Sequence, residues 1–170
     1  MKKYYYNTNR RSEIAQAIYD KRESFDWWPG RTNDQFQVRQ FDQSLIEQDS
    51  FLKELYKIAP GQLCFFKFPP GVMYNWHKDG SNLFNVNLIF KEQKSFSLFR
   101  AEPGDFDQST VHGALQPVIE VEYQPMCWTM YNAQILHTVA NLDTETRYLL
   151  TYTIKKDSAI TYDEVVAGLS

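Results

Sequence analysis

The chain predicts a mainly β protein: a sandwich or barrel of about eight strands, with helices gathered toward its N-terminal end. Three observations predict it. Aromatic residues make up 16% of the chain, with 12 Phe, 11 Tyr and 4 Trp, and aromatic side chains favour strands. Short strand-like runs separated by turn residues follow one another after residue 61. The two clear helical periodicities both come before it. The 170 residues and 43% hydrophobic content suffice for one domain with its own core. That domain is expected to span 1–170: a helical support region (1–61), a β core (62–154) and a tail (155–170).

The elements are read in order. "SEIAQAIYDKR" (12–22) reads as a helix, with Ser12 able to cap it and Ile14, Ala17 and Ile18 at helical spacing. Pro29-Gly30 marks a turn, and "QFQVRQF" alternates like a strand. "DSFLKELYKIA" is a second helix, with Leu52, Leu55 and Tyr56 on one face and Pro60-Gly61 as its stop. The strand runs that follow are Leu63–Phe68, Met73–His77, Leu83–Phe90, Phe96–Phe99, Val118–Tyr123, Cys127–Tyr131, Ile135–Val139 and Arg147–Ile154. In the third, Phe84, Val86, Leu88 and Phe90 share one face, and Asn85 and Asn87 share the other. The apolar face is expected to meet the helices and the other to line a partly polar interior. "TYDEVVAGLS" reads as a surface tail, with a short helix or an interaction arm as the alternatives.

Net charge is −3 with no basic block, so nothing resembles the footprint of tight duplex binding, and a nucleic-acid partner is not expected. No run approaches a membrane span, and "MKKYYYNTNRR" lacks an apolar signal core. Cys64 and Cys127 are expected to be buried thiols. A cytoplasmic location is the resulting expectation.

The chemistry-bearing residues are few. There are three histidines, and His77 stands two residues before Asp79 in "YNWHKDG". On an extended segment both side chains face one way. His137 follows 58 residues after Asp79, at the end of a β run. Two His and one carboxylate can form a facial triad on non-haem iron. Alone, the pair reads equally as a polar turn. Arg147 adds weight: it opens "RYLLTYTI" ten residues after His137, with Leu149, Thr151 and Thr153 on its face. An inward Arg calls for an anion, and its fork suits a carboxylate. His112, in a polar loop, reads as a surface residue. Trp27 and Trp28 read as core aromatics.

His-x-Asp, a distal His and an Arg ten residues on resemble the motif of the 2-oxoglutarate- and Fe(II)-dependent oxygenase superfamily. "FPPGVMYNWHKDG" is similar to the prolyl-hydroxylase-like approach Tyr-x-x-Gly-x-x-Tyr-x-x-His-x-Asp. Gly71, Tyr74, His77 and Asp79 match it, and Phe68 replaces the first Tyr. The resemblance covers roughly residues 62–154. It implies a double-stranded β-helix (jelly roll) of eight strands, with the N-terminal helices packed on one outer face. It implies Fe(II) held by His77, Asp79 and His137, and 2-oxoglutarate as co-substrate with its distal carboxylate on Arg147. It also implies hydroxylation of a C–H bond with succinate and CO2 as co-products, and allows ascorbate as an auxiliary reductant. Related halogenases replace the carboxylate by a small residue, so Asp79 implies a hydroxylase. Tyr74 either faces the co-substrate or substrate or packs in the core. Asn87, Asn85 and Thr151 are candidates for the contacts that Phe68 cannot make. The approach, like a similarity to aspartyl/asparaginyl hydroxylases, implies a peptide or protein side chain as substrate, with a small molecule as the alternative. A cupin-like metal protein and a non-enzymatic β-sandwich module are the competing readings.

Overall fold

The computed structural model describes residues 3–30, 36–102, 117–158 and 160–169. Among these are β1 (Tyr5–Arg11), α1 (Ala15–Asp20), a 3-10 turn (Arg22–Ser24), β2 (Trp28–Pro29), β3 (Gln37–Gln40), α2 (Gln43–Ile46) and α3 (Ser50–Ile58). They continue with β4 (Gly61–Phe68), β5 (Val72–His77), β6 (Asn82–Ile89), β7 (Ser95–Arg100) and β8 (Val118–Glu120). Last come β9 (Cys127–Tyr131), β10 (His137–Asn141), β11 (Arg147–Lys155) and α4 (Tyr162–Leu169).

Two antiparallel sheets result. One has the order β1-β9-β6-β11-β4-β3-β2, the other β5-β10-β7-β8. The eight strands from β4 onward fall four to each sheet, and the chain crosses between the sheets at every step except the β7–β8 hairpin, as in a double-stranded β-helix. The larger sheet separates its faces as the alternation predicts. Phe84, Val86 and Leu88 of β6 and Tyr148, Leu150, Tyr152 and Ile154 of β11 join one apolar cluster. Ile14, Ala15 and Ile18 of the first helical segment and Phe51, Leu52 and Leu55 of α3 belong to the same cluster. Asn85, Asn87, Thr151 and Thr153 face the space between the sheets.

A buried carboxylate ties the helices to this frame. Asp49 caps α3 by accepting from Leu52 N at 3.1 Å. It also accepts from Ser12 Oγ at 2.6 Å and Trp128 Nε1 at 3.2 Å. Ser12 Oγ in turn accepts the N–H of Ile14 and Ala15. Such caps contribute about 1 kcal/mol each. Between β4 and β11 the backbones leave no room for a side chain at Gly61: a Cβ there would sit 2.4 Å from the Thr153 carbonyl oxygen. Asn141 is wholly buried, and its Nδ2 donates to the carbonyls of Phe68, Pro69 and Glu145 at 2.8–3.0 Å, joining two turns.

Three expectations are corrected. Residues 1–61 hold more strand than expected: β3 falls in the alternating "QFQVRQF" run as read, but β1 and β2 were not expected, and the three extend the larger sheet at both edges. "YYNTNRR" has no alternation to announce a strand. β1 forms by pairing Tyr5 with Tyr131 and Asn7 with Thr129, helped by Thr8 Oγ1 donating to Trp128 O. The tail is not a surface appendage. Tyr162, Val165 and Val166 of α4 are buried in the helix-side cluster, because they fall on one helical face. His137 opens its strand rather than ending it; the preceding Asn132–Leu136 segment turns instead. His112 lies outside the described residues. Cys64 and Cys127 are free and buried. No helix among the described residues is long and apolar enough to cross a membrane.

Candidate metal and co-substrate site

β5 and β10 pair antiparallel, and His77, the last residue of β5, stands directly opposite His137, the first of β10. That pairing depends on an irregularity. Val139 faces Tyr74 while His137 faces His77, so β5 carries one extra residue between them. The extra residue is a bulge, which re-aims a side chain. It explains why Tyr74 and His77, three apart, both line one cavity, and why Asn75 and Trp76 are both exposed. Asp79 follows in the turn, its N–H donating to Ala133 O at 3.0 Å.

The ligand-capable atoms of His77, Asp79 and His137 all lie within 4.8 Å of one another. Asp79 Oδ1 is 3.4 Å from His77 Nε2 and 3.6 Å from His137 Nε2. Both imidazoles are oriented by the backbone. His77 Nδ1 lies 2.6 Å from Asn75 O and His137 Nδ1 2.8 Å from Ile135 O. A carbonyl only accepts, so each Nδ1 carries a proton and each Nε2 is the ring atom turned to the centre. Asp79 is aimed in the same way. Its Oδ2 accepts from Asn82 Nδ2 at 3.1 Å and Asn85 Nδ2 at 2.9 Å, which leaves Oδ1 for the centre.

The charges suit a cation. Burial, above all, pushes the His137 pKa down to about 4, so the ring is neutral and ligand-ready near neutral pH. Burial would raise the Asp79 carboxyl, but the His77 and His137 rings and the amides of Asn85 and Asn82 outweigh it and lower it. The two amides hold it whatever the state of the rings. Two imidazoles oriented by backbone carbonyls and a carboxylate oriented by two amides fit a divalent first-row metal with open positions.

The three residues sit on the wall of a cavity of about 230 Å³. Its apolar lining is Phe36, Phe66, Phe68, Tyr74, Val139 and Leu149, and its polar lining is Asn82, Asn85, Asn87, Tyr131, Thr151 and Thr153. In this polar lining Asn85 Oδ1, Asn87 Oδ1, Tyr131 OH and Thr151 Oγ1 are buried without a hydrogen-bond partner. Orphans of this kind are rare in a finished interior, and together they form a surface for a polar ligand.

Arg147 does not line this cavity. It stands two residues beyond Leu149 on the same face of β11, opposite Phe68 of β4, and is 1% exposed. Nη1 donates to Phe96 O at 2.8 Å and Nη2 to Ser97 Oγ at 3.0 Å; Nε has no partner. Among the described residues no carboxylate pairs with it, and burial lowers its pKa.

Of the residues singled out in the sequence, His77, Asp79 and His137 come together, and Tyr74, Asn85, Asn87 and Thr151 line the adjoining cavity. Tyr74 stacks edge-on against His77 with centroids 4.3 Å apart and against Phe36 at 5.4 Å. Trp27 packs against Phe65 and Tyr148, whereas Trp28 is exposed and away from the cavity. Sequence reasoning missed Asn82, Gln134, Ser97, Tyr123 and Phe36. Gln134 Nε2 donates to the backbone carbonyls of Asp79 and Asn82, pinning the metal-side turn. The one available signal was Asn82, placed three residues after Asp79 in a turn.

No family model matches the chain, and no curated protein does. Solved structures do. HygX from Streptomyces hygroscopicus, with nickel, 2-oxoglutarate and hygromycin B bound, superimposes with a TM-score of 0.61 at 8% identity, covering 93% of this chain and 84% of its own. An oxidoreductase of the 2OG-Fe(II) oxygenase family from Burkholderia pseudomallei gives 0.59 at 10% identity, covering 86% and 80%. A Pseudomonas putida prolyl-4-hydroxylase gives 0.56 at 13%, covering 84% of both chains. The fold and site thus define a double-stranded β-helix protein with a His/Asp/His cluster on an internal cavity. Its fold is the one these 2-oxoglutarate/Fe(II) oxygenases have.

Proposed function

We propose that the chain is an Fe(II)- and 2-oxoglutarate-dependent oxygenase that hydroxylates a C–H bond. The observation that carries the reading is the convergence of His77 Nε2, Asp79 Oδ1 and His137 Nε2 on a cavity whose polar wall is unsatisfied. Buried Arg147, with no carboxylate partner among the described residues, stands two residues from cavity-lining Leu149 on the same strand. His77, Asp79 and His137 hold the iron, and Asn82 and Asn85 keep Asp79 ionised and aimed. Arg147 takes the distal carboxylate of 2-oxoglutarate. Bound together, iron and 2-oxoglutarate supply the oxidising power: O2 is consumed, 2-oxoglutarate becomes succinate and CO2, and one oxygen atom enters the substrate. The protein's own part is to fix the ligands, hold the co-substrate and keep water away with the aromatic wall.

The substrate proposed is a peptide or protein side chain. The Tyr74–Asp79 approach resembles prolyl hydroxylases, and the Pseudomonas prolyl-4-hydroxylase shares the fold. A small molecule is the second reading, favoured by the likeness to HygX, whose structure holds hygromycin B.

Melting under anaerobic conditions tests the class. Fe(II) and 2-oxoglutarate together are expected to raise the melting temperature more than Fe(II) alone. A metal response without a 2-oxoglutarate response would favour a cupin-like metal protein. No response to either would remove the reading. A screen of peptides and small molecules that follows succinate formation then separates the substrate classes.

A further inference from the structure

A second cavity, of about 470 Å³, lies on the helix side of the larger sheet and shares no lining residue with the first. β3 serves both. Its Val38 pairs with Phe66 of the metal-side lining, whereas Arg39 pairs with Phe65 of the helix-side cluster. Neighbouring residues of a strand point to opposite faces, and Arg39 lines the second cavity. The volume falls in the range of small-molecule sites.

Much of the lining is apolar. Ile14, Ala17 and Ile18 stand at helical spacing on the first helical segment. Phe25, Phe41 and Leu45 complete it, with Phe25 edge-on to Phe41 at 5.4 Å. Four charged residues join them, and they are not equivalent. Glu13, Lys21 and Asp42 are exposed, whereas Arg39 is half-buried. Glu13 spends both carboxylate oxygens on Ser50, accepting from its N–H at 2.8 Å and its Oγ at 3.0 Å. Lys21 and Asp42 are solvated at the rim. Arg39 is neither paired nor fully solvated. Its Nε is buried without an acceptor, no carboxylate pairs with it among the described residues, and its guanidinium lies 5.5 Å from the Trp28 ring centroid.

A cation held half out of water calls for an anion. The guanidinium fork takes a carboxylate through parallel hydrogen bonds, and the apolar lining takes a hydrocarbon body. The unpaired Asp42 carboxylate disfavours a second acid group on the same ligand. We propose that this cavity binds a small monocarboxylic acid with an apolar body, its carboxylate on Arg39 and its body against Ile14, Ile18, Phe25 and Phe41. The site stands independently of the oxygenase reading.

Calorimetric titration of the full chain with octanoate and with 2-naphthoate tests it, with 1-octanol as the uncharged control. Wild type is expected to bind at least one of the acids with Kd below about 1 mM, and the tighter of the two tells a straight chain from an aromatic body. Arg39→Met keeps the stem and removes the charge. It is expected to raise Kd for the acid at least about tenfold, the value of one hydrogen bond to a charged group, and to leave octanol binding unchanged. Ala17→Trp fills the groove from an exposed position and is expected to abolish binding of acid and alcohol alike. Arg147→Met, outside this cavity, is expected to change neither. No binding of either acid by wild type overturns the assignment, and so does an acid that binds Arg39→Met as tightly as wild type. Binding that is lost in Arg147→Met and kept in Ala17→Trp places the acid on the metal side of the sheet and overturns it as well. If Arg39→Met melts well below wild type, the comparison of Ala17→Trp with Arg147→Met decides by itself.

Discussion

Asn85 Nδ2 donates to Asp79 Oδ2 at 2.9 Å, although the two residues lie on different elements. The bond fixes which carboxylate oxygen faces the histidines. Asn85→Ala is therefore expected to weaken metal binding about 10–100-fold, the usual effect of removing such a support. Calorimetric titration with Mn(II) measures it; an unchanged affinity would mean that Asn82 orients Asp79 alone.

Arg147 touches none of the three ligand-capable residues in any hydrogen bond, yet it is as buried as any core side chain. Arg147→Met keeps its volume and removes its charge. The variant is expected to keep the melting shift with Fe(II) and lose the additional shift with 2-oxoglutarate. Loss of both would show that the guanidinium acts through the fold.

Asn141 spends its amide on three carbonyls from two turns. Replacing it by Ala strands buried acceptors and should cost about 2–4 kcal/mol. Urea denaturation of the metal-free protein checks this, with the change expected in midpoint rather than slope.

Tyr162 of α4 packs against Phe84 of β6 with ring centroids 6.0 Å apart. Tyr162→Ala is expected to cost about 3 kcal/mol. A residue in a surface tail would change stability by no more than about 0.5 kcal/mol, so the same denaturation experiment separates the two descriptions.

Burial pushes the Cys64 thiol from its ordinary 9.0 up to about 11. The folded chain thus holds a proton that the unfolded chain begins to release near pH 9. Stability from this group is intact below that pH and is lost as pH rises toward 11. Between pH 8 and pH 10 the loss is about 1 kcal/mol. Cys64→Ala should show a shallower alkaline decline by that amount. The native thiol should also resist iodoacetamide at pH 8.

Legibility in the sequence followed the strength of local pattern. β6 and β11 announce both faces, since Asn85 and Asn87 alternate with Phe84, Val86 and Leu88, and the Thr residues with Tyr148, Leu150 and Tyr152. The His77/Asp79/His137 cluster was legible because histidine is rare in this chain and both rings stand at strand ends. β1 was not: its strand state comes from pairing with β9, nearly the whole chain away. Ser97, which accepts from Arg147, was not, because a serine in a strand carries no signal of its own. Asn82 and Asn85 were legible as polar positions but not as supports, since that role depends on where the turn after Asp79 returns.

The extra residue in β5 has an evolutionary consequence. Tyr74 and His77 have opposite parity along the strand, so only the bulge lets them face the same way. Deleting one residue at Asn75 or Trp76 would restore a regular ladder and put Tyr74 and His77 two apart, still on one face. A single codon lost there would leave both rings turned to the cavity and straighten the strand. The length of β5 beside the cluster can thus vary by one residue with the cluster intact, whereas a regular strand of the present length would turn Tyr74 or His77 outward.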